Sequence, residues 1–166
     1  MAKEGCVHGT VVLSHKQTAG RGRFNRSFYS PEGTGLYMSI VLDADKLCLD
    51  EYTLLTPLVA VITSKVIDSV AGKKCGIKWV NDLYLEGKKV CGILCERVEN
   101  AVVIGIGINL SVKAFPNEIK NIAVNLGKIN RKKLAKNIVN EILSMLKSEE
   151  DFIERLKSSV YVVLWR

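Results

Sequence analysis

The stretch that decides the fold class is CGIKWVNDLYLEGKKVCGILCERVENAVVIGIGINL, at residues 75–110. Its apolar and β-branched runs are separated by two short turn sequences, Glu86-Gly87 and Glu99-Asn100. Apolar runs divided by such turns predict antiparallel strands joined by hairpins. We therefore expect a hairpin over residues 83–98 and another strand after it, in which two glycines leave room for a backbone or a ligand.

Strand and loop sequences precede this stretch. TVVLS at residues 10–14 is short, apolar and β-branched, which is typical of a buried strand. Residues 17–34 contain three glycines, a proline and three arginines, and predict a long loop or open hairpin. Loops of that length inside a compact domain are usually functional or disordered. Strand chemistry resumes with GLYMSIVL at residues 35–42.

Helical patterns occupy the rest of the chain. Residues 54–71 are apolar around most of the helix circumference, with Gly72 at the C-cap position, and predict a core helix. Residues 111–157 are expected to form one or two amphipathic helices, with Asn130 as the N-cap of a helix over residues 131–146. This order of elements predicts an α+β fold, with a mixed, largely antiparallel β-sheet and helices packed on one face.

Composition limits the class of protein. With 166 residues, 48% of them hydrophobic and 25% charged, the chain can form one ordinary domain with a substantial core. The longest apolar segment is broken by polar residues and the N-terminus carries no secretory signal, so we expect a cytoplasmic protein without a membrane span. The five cysteines lack zinc-ligand or redox spacing and are expected to be buried thiols in a reducing compartment.

The net charge of +7 suggests nucleic acid as a partner, because clustered Lys and Arg neutralise phosphates. Many of the basic residues, however, lie between Lys113 and Lys147 and alternate with apolar residues at the spacing of an amphipathic helix. No stacking aromatics are interleaved among them, as single-strand binding would require. We therefore interpret them as a solvated helix face and expect no stable nucleic-acid complex.

Three segments combine polar groups with glycine: GRGRFNR at residues 20–26, KWVND at residues 78–82 and KKVCGILCE at residues 88–96. Arginine binds phosphate through a planar set of donors, and neighbouring glycines let backbone amides approach an anion. Lys89 would hold an ammonium beside buried strand neighbours, where it can neutralise a reacting carboxylate and phosphate. Taken singly, the segments are equally compatible with a solvated basic turn, an ordinary turn and a strand-end lysine.

Together and in this order, the segments QTAGRGR, KWVND, KVCGILCE and GIGINL resemble the biotin–protein ligase catalytic domain, over about residues 10–109 and more loosely to residue 157. The resemblance implies a fold similar to class II aminoacyl-tRNA synthetases and biotin synthetases. It also implies an enzyme that forms biotinyl-5'-AMP from biotin and Mg-ATP. The biotinyl group would then pass to a lysine of a biotin carboxyl carrier protein or a carboxylase biotin domain. ATP, Mg2+ and biotin are the cofactors and substrates expected from this resemblance, and edge-strand pairing offers a route to a homodimer.

The resemblance further implies roles for individual residues. Lys89, Arg23 and Asp82 would be catalytic, with Asp82 also the candidate metal ligand. Biotin would contact Gln17, Gly20, Arg21, Gly22, Arg23, Lys89, Gly92 and Leu94. The nucleotide would contact Arg23, Arg26, Lys78, Asn81 and Asn109. Lys89 would counter the repulsion between the biotin carboxylate and the α-phosphate, while the arginine loop would shield the adenylate from water.

The match departs from the family pattern within the motifs and at the termini. Val80 replaces the usual proline and Phe28 the usual tryptophan. The family's Ser-Thr-Asn element, its C-terminal β-barrel and the DNA-binding region of bifunctional members are not recognised. We therefore expect residues 1–157 to be a catalytic core without its N-terminal pocket element, and residues 158–166 to be the truncated start of a C-terminal region. Weak biotin binding and poor ligation are expected in consequence.

Two alternative functions stay open. An impaired or non-catalytic fragment could act as a module that binds a carrier protein or nucleic acid. A lipoate or octanoate ligase or transferase of the same superfamily is disfavoured, because those enzymes carry a different glycine-rich arginine signature.

Overall fold

The computed structural model describes residues 5–47 and 54–146. In chain order, its elements are β1 Thr10–Ser14, β2 Gly35–Asp43, α1 Leu55–Ala71, β3 Gly76–Lys78, β4 Asp82–Leu85, β5 Lys88–Val98, β6 Ala101–Asn109 and α2 Arg131–Met145. The six strands form one antiparallel sheet in the order β1-β2-β6-β5-β4-β3. The predicted α+β class is confirmed.

The meander of β4, β5 and β6 forms where the sequence predicts it. The chain turns from β4 to β5 at Glu86 and Gly87, whose φ angles of 51° and 76° lie in the left-handed region that a tight hairpin requires. It turns again at Glu99, with a φ angle of 55°, and enters β6. These local turns fix the centre of the sheet.

Both helices pack on one face of the sheet. α1 contacts β3, β4 and β5, α2 contacts β2, and the helices contact each other. Alternate residues of β2 and β6 point toward them and are buried: Leu36, Met38, Ile40, Leu42, Val102, Ile104, Ile106 and Ile108. The predicted placement of the helices on one face is therefore confirmed, and the core lies between them and the sheet.

The helix ends carry the predicted caps. Gly72 ends α1 in the left-handed conformation, with a φ angle of 63°. Asn130 begins α2, and its side-chain oxygen accepts a hydrogen bond from the backbone N–H of Lys133 at 3.0 Å. Along α2, three apolar residues (Leu134, Ile138 and Ile142) are buried, whereas three basic ones (Lys132, Lys133 and Lys136) are exposed. The solvated basic face is confirmed for the described part of this helix.

The first strand corrects one prediction. β1 forms at Thr10–Ser14, but Val11, Val12 and Leu13 are 37%, 39% and 56% exposed, so the strand is not buried. β1 lies at the edge of the sheet and pairs with β2 alone among the described strands. The apolar β-branched composition therefore reflects strand propensity here and not burial.

Residues 110–129 correct a second prediction, because they are irregular and not helical. Short turns follow Pro116 and Ile119: the Pro116 carbonyl accepts a hydrogen bond from the N–H of Lys120, and the Ile119 carbonyl accepts one from the N–H of Ala123. The segment also bonds to β5: Lys89 N donates to the Ile122 carbonyl at 2.8 Å, and Val124 N donates to the Lys89 carbonyl at 2.9 Å. The segment therefore crosses over β5. The predicted helical residues 147–157 lie outside the described residues.

The cysteines only partly match the prediction. Cys91 is buried, whereas Cys6, Cys75 and Cys95 are partly exposed, and all four are free thiols. Burial raises the pKa of Cys75 and Cys95 to about 11, and it also raises the pKa of Cys91. These three thiols are therefore protonated and weakly nucleophilic at neutral pH. Cys48 lies outside the described residues.

Within residues 5–47 and 54–146, no helix is both long and apolar enough to cross a membrane.

The cap of α2 gives a test of the helix boundary. We expect Asn130→Ala to lower the free energy of unfolding by about 1 kcal/mol, because the Lys133 N–H loses its partner. Asn140→Ala, in the middle of the same helix, is the control and should be neutral or slightly stabilising, because alanine is the better helix former. Urea unfolding measures both variants. Equal effects would contradict the assignment of Asn130 as the cap.

Candidate active site

A cavity of about 610 Å³ lies on the sheet face opposite the helices. Its floor is formed by residues of β2, β5 and β6 that point away from the core: Ser39, Gly92, Leu94, Glu96, Val103, Gly105 and Gly107. The loop between β1 and β2 forms one wall, and the segment after β6 forms another. Of the residues predicted to form the site, all except Gly20 line this cavity.

A β-bulge in β5 turns Lys89 toward the cavity. The register between β4 and β5 shifts here, and the consecutive residues Val90 and Cys91 are both buried in the core. In a regular strand, side chains alternate between the two faces, so Lys89 would share the core face with Cys91. The extra residue reverses this alternation and puts Lys89 on the cavity side with Gly92.

Lys89 is the end of a polar network that joins three predicted motifs. Its Nζ lies 2.7 Å from Asp82 Oδ1, and both side chains are mostly buried. Asn81 Nδ2 donates to the same oxygen at 3.0 Å, while Asn81 Oδ1 accepts from Arg23 Nη1 at 3.2 Å. The structure thus brings the arginine loop, KWVND and the strand lysine together in one place.

The backbone of β5 fixes the centre of this network. Asn81 Nδ2 donates to the carbonyl of Ile93 at 3.2 Å, and the N–H of Ile93 donates to the carbonyl of Asn81 at 2.8 Å. Asn81 follows the cis peptide bond between Trp79 and Val80, at the position where the family pattern has proline. The hydrogen bonds to Asp82 and Ile93 thus orient the side-chain amide of Asn81, and its Oδ1 faces Arg23.

Phe28 is a site residue to which the sequence assigned no role. Its ring rests on Gly92 and Gly107, which are directly paired across β5 and β6. A methyl group at Gly107 would lie 2.5 Å from the ring, and one at Gly92 would lie 3.2 Å from it. Lys89 Nζ is 5.9 Å from the ring centroid. The two glycines thus form a socket for an aromatic ring beside the lysine.

Backbone hydrogen bonds join the two sides of the arginine loop, residues 20–26. Gly22 N donates to the Arg26 carbonyl at 2.7 Å, and Phe28 N donates to the Gly20 carbonyl at 2.8 Å. At the tip, Phe24 and Asn25 have φ angles of 54° and 57°, a conformation that costs a non-glycine residue about 1 kcal/mol or more. Strain of this kind is usually retained where function requires it.

Gly20 and Gln17 support the loop from below. A β-carbon at Gly20 would lie 2.4 Å from the carbonyl oxygen of Phe28, so no larger residue fits there. Gln17 Oε1 accepts a hydrogen bond from Ser30 Oγ at 2.7 Å. Gln17 also reaches the cavity, as predicted, whereas Gly20 shapes the loop without lining the cavity.

The remaining predicted residues lie around the rim and floor. Arg21 forms an ion pair with Glu96, with Nη2 3.4 Å from Oε1. Lys78 lies over the ring of Tyr84, 5.2 Å from its centroid. Asn109, at the end of β6, is buried against the cavity floor. Arg26, Gly22 and Leu94 complete the set of predicted residues that line the cavity.

The sequence did not predict the cavity wall that the segment after β6 forms. Phe115, Ile119, Ile122 and Ala123 line the cavity from the segment that crosses β5. They lie in the region predicted to be helical, but Ile122 is 58% exposed and sits beside the bonds that join this segment to Lys89. Pro116 was the local signal against a continuous helix.

The charges of the cavity favour anionic ligands. Arg21, Arg23, Arg26, Lys78 and Lys89 line it, against the carboxylates Asp82 and Glu96, which leaves an excess of three positive charges. No group of three or more His, Cys, Asp or Glu that could hold a metal ion occurs among residues 5–47 and 54–146. The predicted metal ligand, Asp82, is a carboxylate, the oxygen-donor type that magnesium prefers.

A family model for the biotin/lipoate A/B protein ligase family matches residues 3–112. The chain belongs to this family. It is 42% identical over 142 residues to the bifunctional ligase/repressor BirA of Bacillus spizizenii, a match that covers 81% of this chain and 43% of BirA. It is 30% identical to the biotin–[acetyl-CoA-carboxylase] ligase of Mycobacterium tuberculosis, covering 72% of this chain and 46% of that protein.

The fold agrees with this membership. The chain aligns with the biotin protein ligase of Aquifex aeolicus in complex with biotin and ATP, with a TM-score of 0.78 and 30% identity, over 95% of this chain and 66% of that one. The predicted relation to the class II synthetase-like fold is thereby confirmed. The chain spans less than half the length of the two curated relatives.

The socket for Phe28 can be tested with a matched pair of glycines. We expect Gly107→Ala to destabilise the protein by about 1–3 kcal/mol, because the added methyl overlaps the ring. Gly105→Ala, on the same face of the same strand, meets its nearest atom at 3.5 Å and should be nearly neutral. Thermal and urea unfolding measure both variants. Equal stability of the two would show that Phe28 does not occupy the socket.

Proposed function

We propose that this chain is an ATP-dependent biotin–protein ligase, which forms biotinyl-5'-AMP from biotin and Mg-ATP and transfers the biotinyl group to a lysine of a carrier protein. The observation that carries the proposal is the network from Arg23 through Asn81 and Asp82 to Lys89, inside one cationic cavity. The relatives named above support the substrates, because they are biotin ligases and one was solved with biotin and ATP.

Activation joins two anions, and Lys89 is placed to make that approach favourable. A biotin carboxylate oxygen attacks the α-phosphorus of ATP, the P–O bond to the β-phosphate breaks, and pyrophosphate leaves. Lys89 would exchange its contact with Asp82 for contacts with the carboxylate and the α-phosphate. A preorganised charge in a site that excludes water stabilises such a transition state by about 3–4 kcal/mol.

Asp82 has two roles in this proposal. It holds the ammonium of Lys89 in place before substrates arrive, at 2.7 Å. When Mg-ATP binds, the same carboxylate would be available as an oxygen ligand for magnesium, which would neutralise phosphate charge. Lys78, Arg26, Asn81 and Asn109 would contact the nucleotide, since they line the same cavity.

The arginine loop would cover the intermediate. Arg23 would move its guanidinium from Asn81 to the adenylate phosphate, and the ring of Phe28 would pack against biotin near Gly92 and Leu94. A closed loop excludes water, which slows hydrolysis of the mixed anhydride. The neutral acceptor amine then attacks the biotinyl carbonyl, the C–O bond to the AMP phosphate breaks, AMP leaves, and the nitrogen loses one proton to solvent as the amide forms.

The acceptor and the compartment complete the proposal. We take the acceptor to be a biotin carboxyl carrier protein or a carboxylase biotin domain. The partly exposed thiols Cys6, Cys75 and Cys95 are free, which suits a reducing cytoplasm.

The ligase reaction can be tested directly. The chain is incubated with biotin, Mg-ATP and a carrier domain, and the mass of the carrier is measured. We expect an added biotinyl group, and Lys89→Met should lower the initial rate by about 100-fold or more, because the reacting anions lose their counter-ion. Lys88→Met is the matched control, since Lys88 is the exposed neighbour on the same strand. Equal rates for the two variants would contradict the role of Lys89.

Exchange of labelled pyrophosphate into ATP separates biotin from lipoate as the substrate. We expect exchange that depends on biotin, is not supported by lipoate or octanoate, and falls in Arg23→Ala. Exchange with lipoate alone would transfer the proposal to the other branch of the family. Absence of any exchange, with steep salt-dependent binding to nucleic acid, would favour a non-catalytic binding module.

A further inference from the structure

We propose that Glu96 is a positioning residue, which holds the arginine loop on the cavity through its ion pair with Arg21. The inference rests on the proposed function in one respect: biotin is the ligand whose release reports opening of the arginine loop. Glu96 lies at the end of the KKVCGILCE segment and was assigned no role from the sequence. It deepens the proposed mechanism by naming what keeps the loop closed.

Two polar side-chain contacts attach the loop to the sheet, in addition to the ring of Phe28 in its glycine socket. Arg23 donates to Asn81 at the start of β4, and Arg21 Nη2 lies 3.4 Å from Glu96 Oε1 in β5. Each additional contact restricts the movement of a short loop relative to the sheet, so loss of the Arg21 contact should leave the loop less restrained. The backbone at Phe24 and Asn25 adopts the left-handed conformation, so contacts elsewhere in the loop must stabilise this arrangement.

The position of Glu96 separates this contact from the chemistry. Gly92, Leu94 and Glu96 are successive residues on the cavity face of β5. Four residues of strand place Glu96 about 13 Å from Gly92, and thus far from the Lys89–Asp82 pair. Glu96 can therefore hold Arg21 without competing for the anions that react beside Lys89.

The exposure of the pair determines what its loss should change. The side chains of Arg21 and Glu96 are 69% and 43% exposed, so the pair contributes little to global stability. Loop opening is a local equilibrium, however, and the loss of even a weak contact changes the open fraction directly. Screening by salt should weaken the same contact.

A competing role predicts the opposite effect. If Glu96 were a resting lock that withholds Arg21 from substrate, its removal would free the arginine and tighten biotin binding. If Glu96 holds the loop closed, its removal raises the open fraction and speeds biotin release. The sign of the change therefore distinguishes the two roles.

The first experiment needs no ligand. Hydrogen exchange of the amides in residues 20–28 is compared in the wild-type chain, Glu96→Gln and Glu86→Gln, where Glu86 is an exposed turn residue outside the cavity. We expect up to about fivefold faster exchange in Glu96→Gln at low salt, no change in Glu86→Gln, and equal melting temperatures. High salt should speed exchange in the wild type and leave Glu96→Gln unchanged. Unchanged exchange in Glu96→Gln would overturn the proposal.

The second experiment measures function and tests the pair itself. Biotin dissociation should be faster in Glu96→Gln, and hydrogen exchange of residues 20–28 without ligand should be faster in Arg21→Glu and recover in the reversed pair, Arg21→Glu with Glu96→Arg. Tighter binding in Glu96→Gln, or no recovery in the reversed pair, would overturn the proposal. A wild-type chain that binds no biotin would instead refute the proposed function, and hydrogen exchange would still decide the role of Glu96.

Discussion

The site depends on a single extra residue in β5. Because Val90 and Cys91 both enter the core, the strand shifts by one position against β4. Lys89 consequently leaves the core side and meets Asp82 in the cavity. A lysine on the other face would be surrounded by the packed apolar residues beneath α1, where an unpaired ammonium is very costly. The bulge thus makes the lysine compatible with the fold and useful to the site.

The sheet divides the molecule into an apolar side and a polar side. Toward the helices, β2 and β6 present large aliphatic residues with almost no exposure. Toward the cavity, the same strands present Ser39, Gly105 and Gly107, which leave space above the backbone. The glycines weaken strand propensity, and the packed face compensates for them. In the proposed mechanism, the packed sheet provides a fixed floor, and the movements are those of the arginine loop and of side chains.

The sequence predicted what short-range patterns determine. The meander followed from its turns, and α1 from its apolar circumference, while the motifs supplied the charged residues that meet in one cavity. The sequence-based prediction was wrong where contacts between residues far apart in the chain determine the structure. Edge exposure of Val11 and Leu13 depends on which strands pair, and the backbone near Ile122 bonds to Lys89, far away in the chain. The network through Asn81 includes Lys89 only because the bulge turns Lys89 toward the cavity. The residue types in KKVCGILCE did not predict that bulge.

The strand order also determines when the parts of the site meet during folding. Asp82 and Lys89 belong to adjacent strands of a local hairpin, so they can come together over a short closed loop. The arginine loop precedes β2, which pairs with β6 across the whole of α1 and the meander, as Leu36 does with Ile108. Long-range pairing of this kind is the slow step of folding. The arginine loop is therefore synthesised before β6, and it can reach its final place beside the sheet only after β2 and β6 have paired.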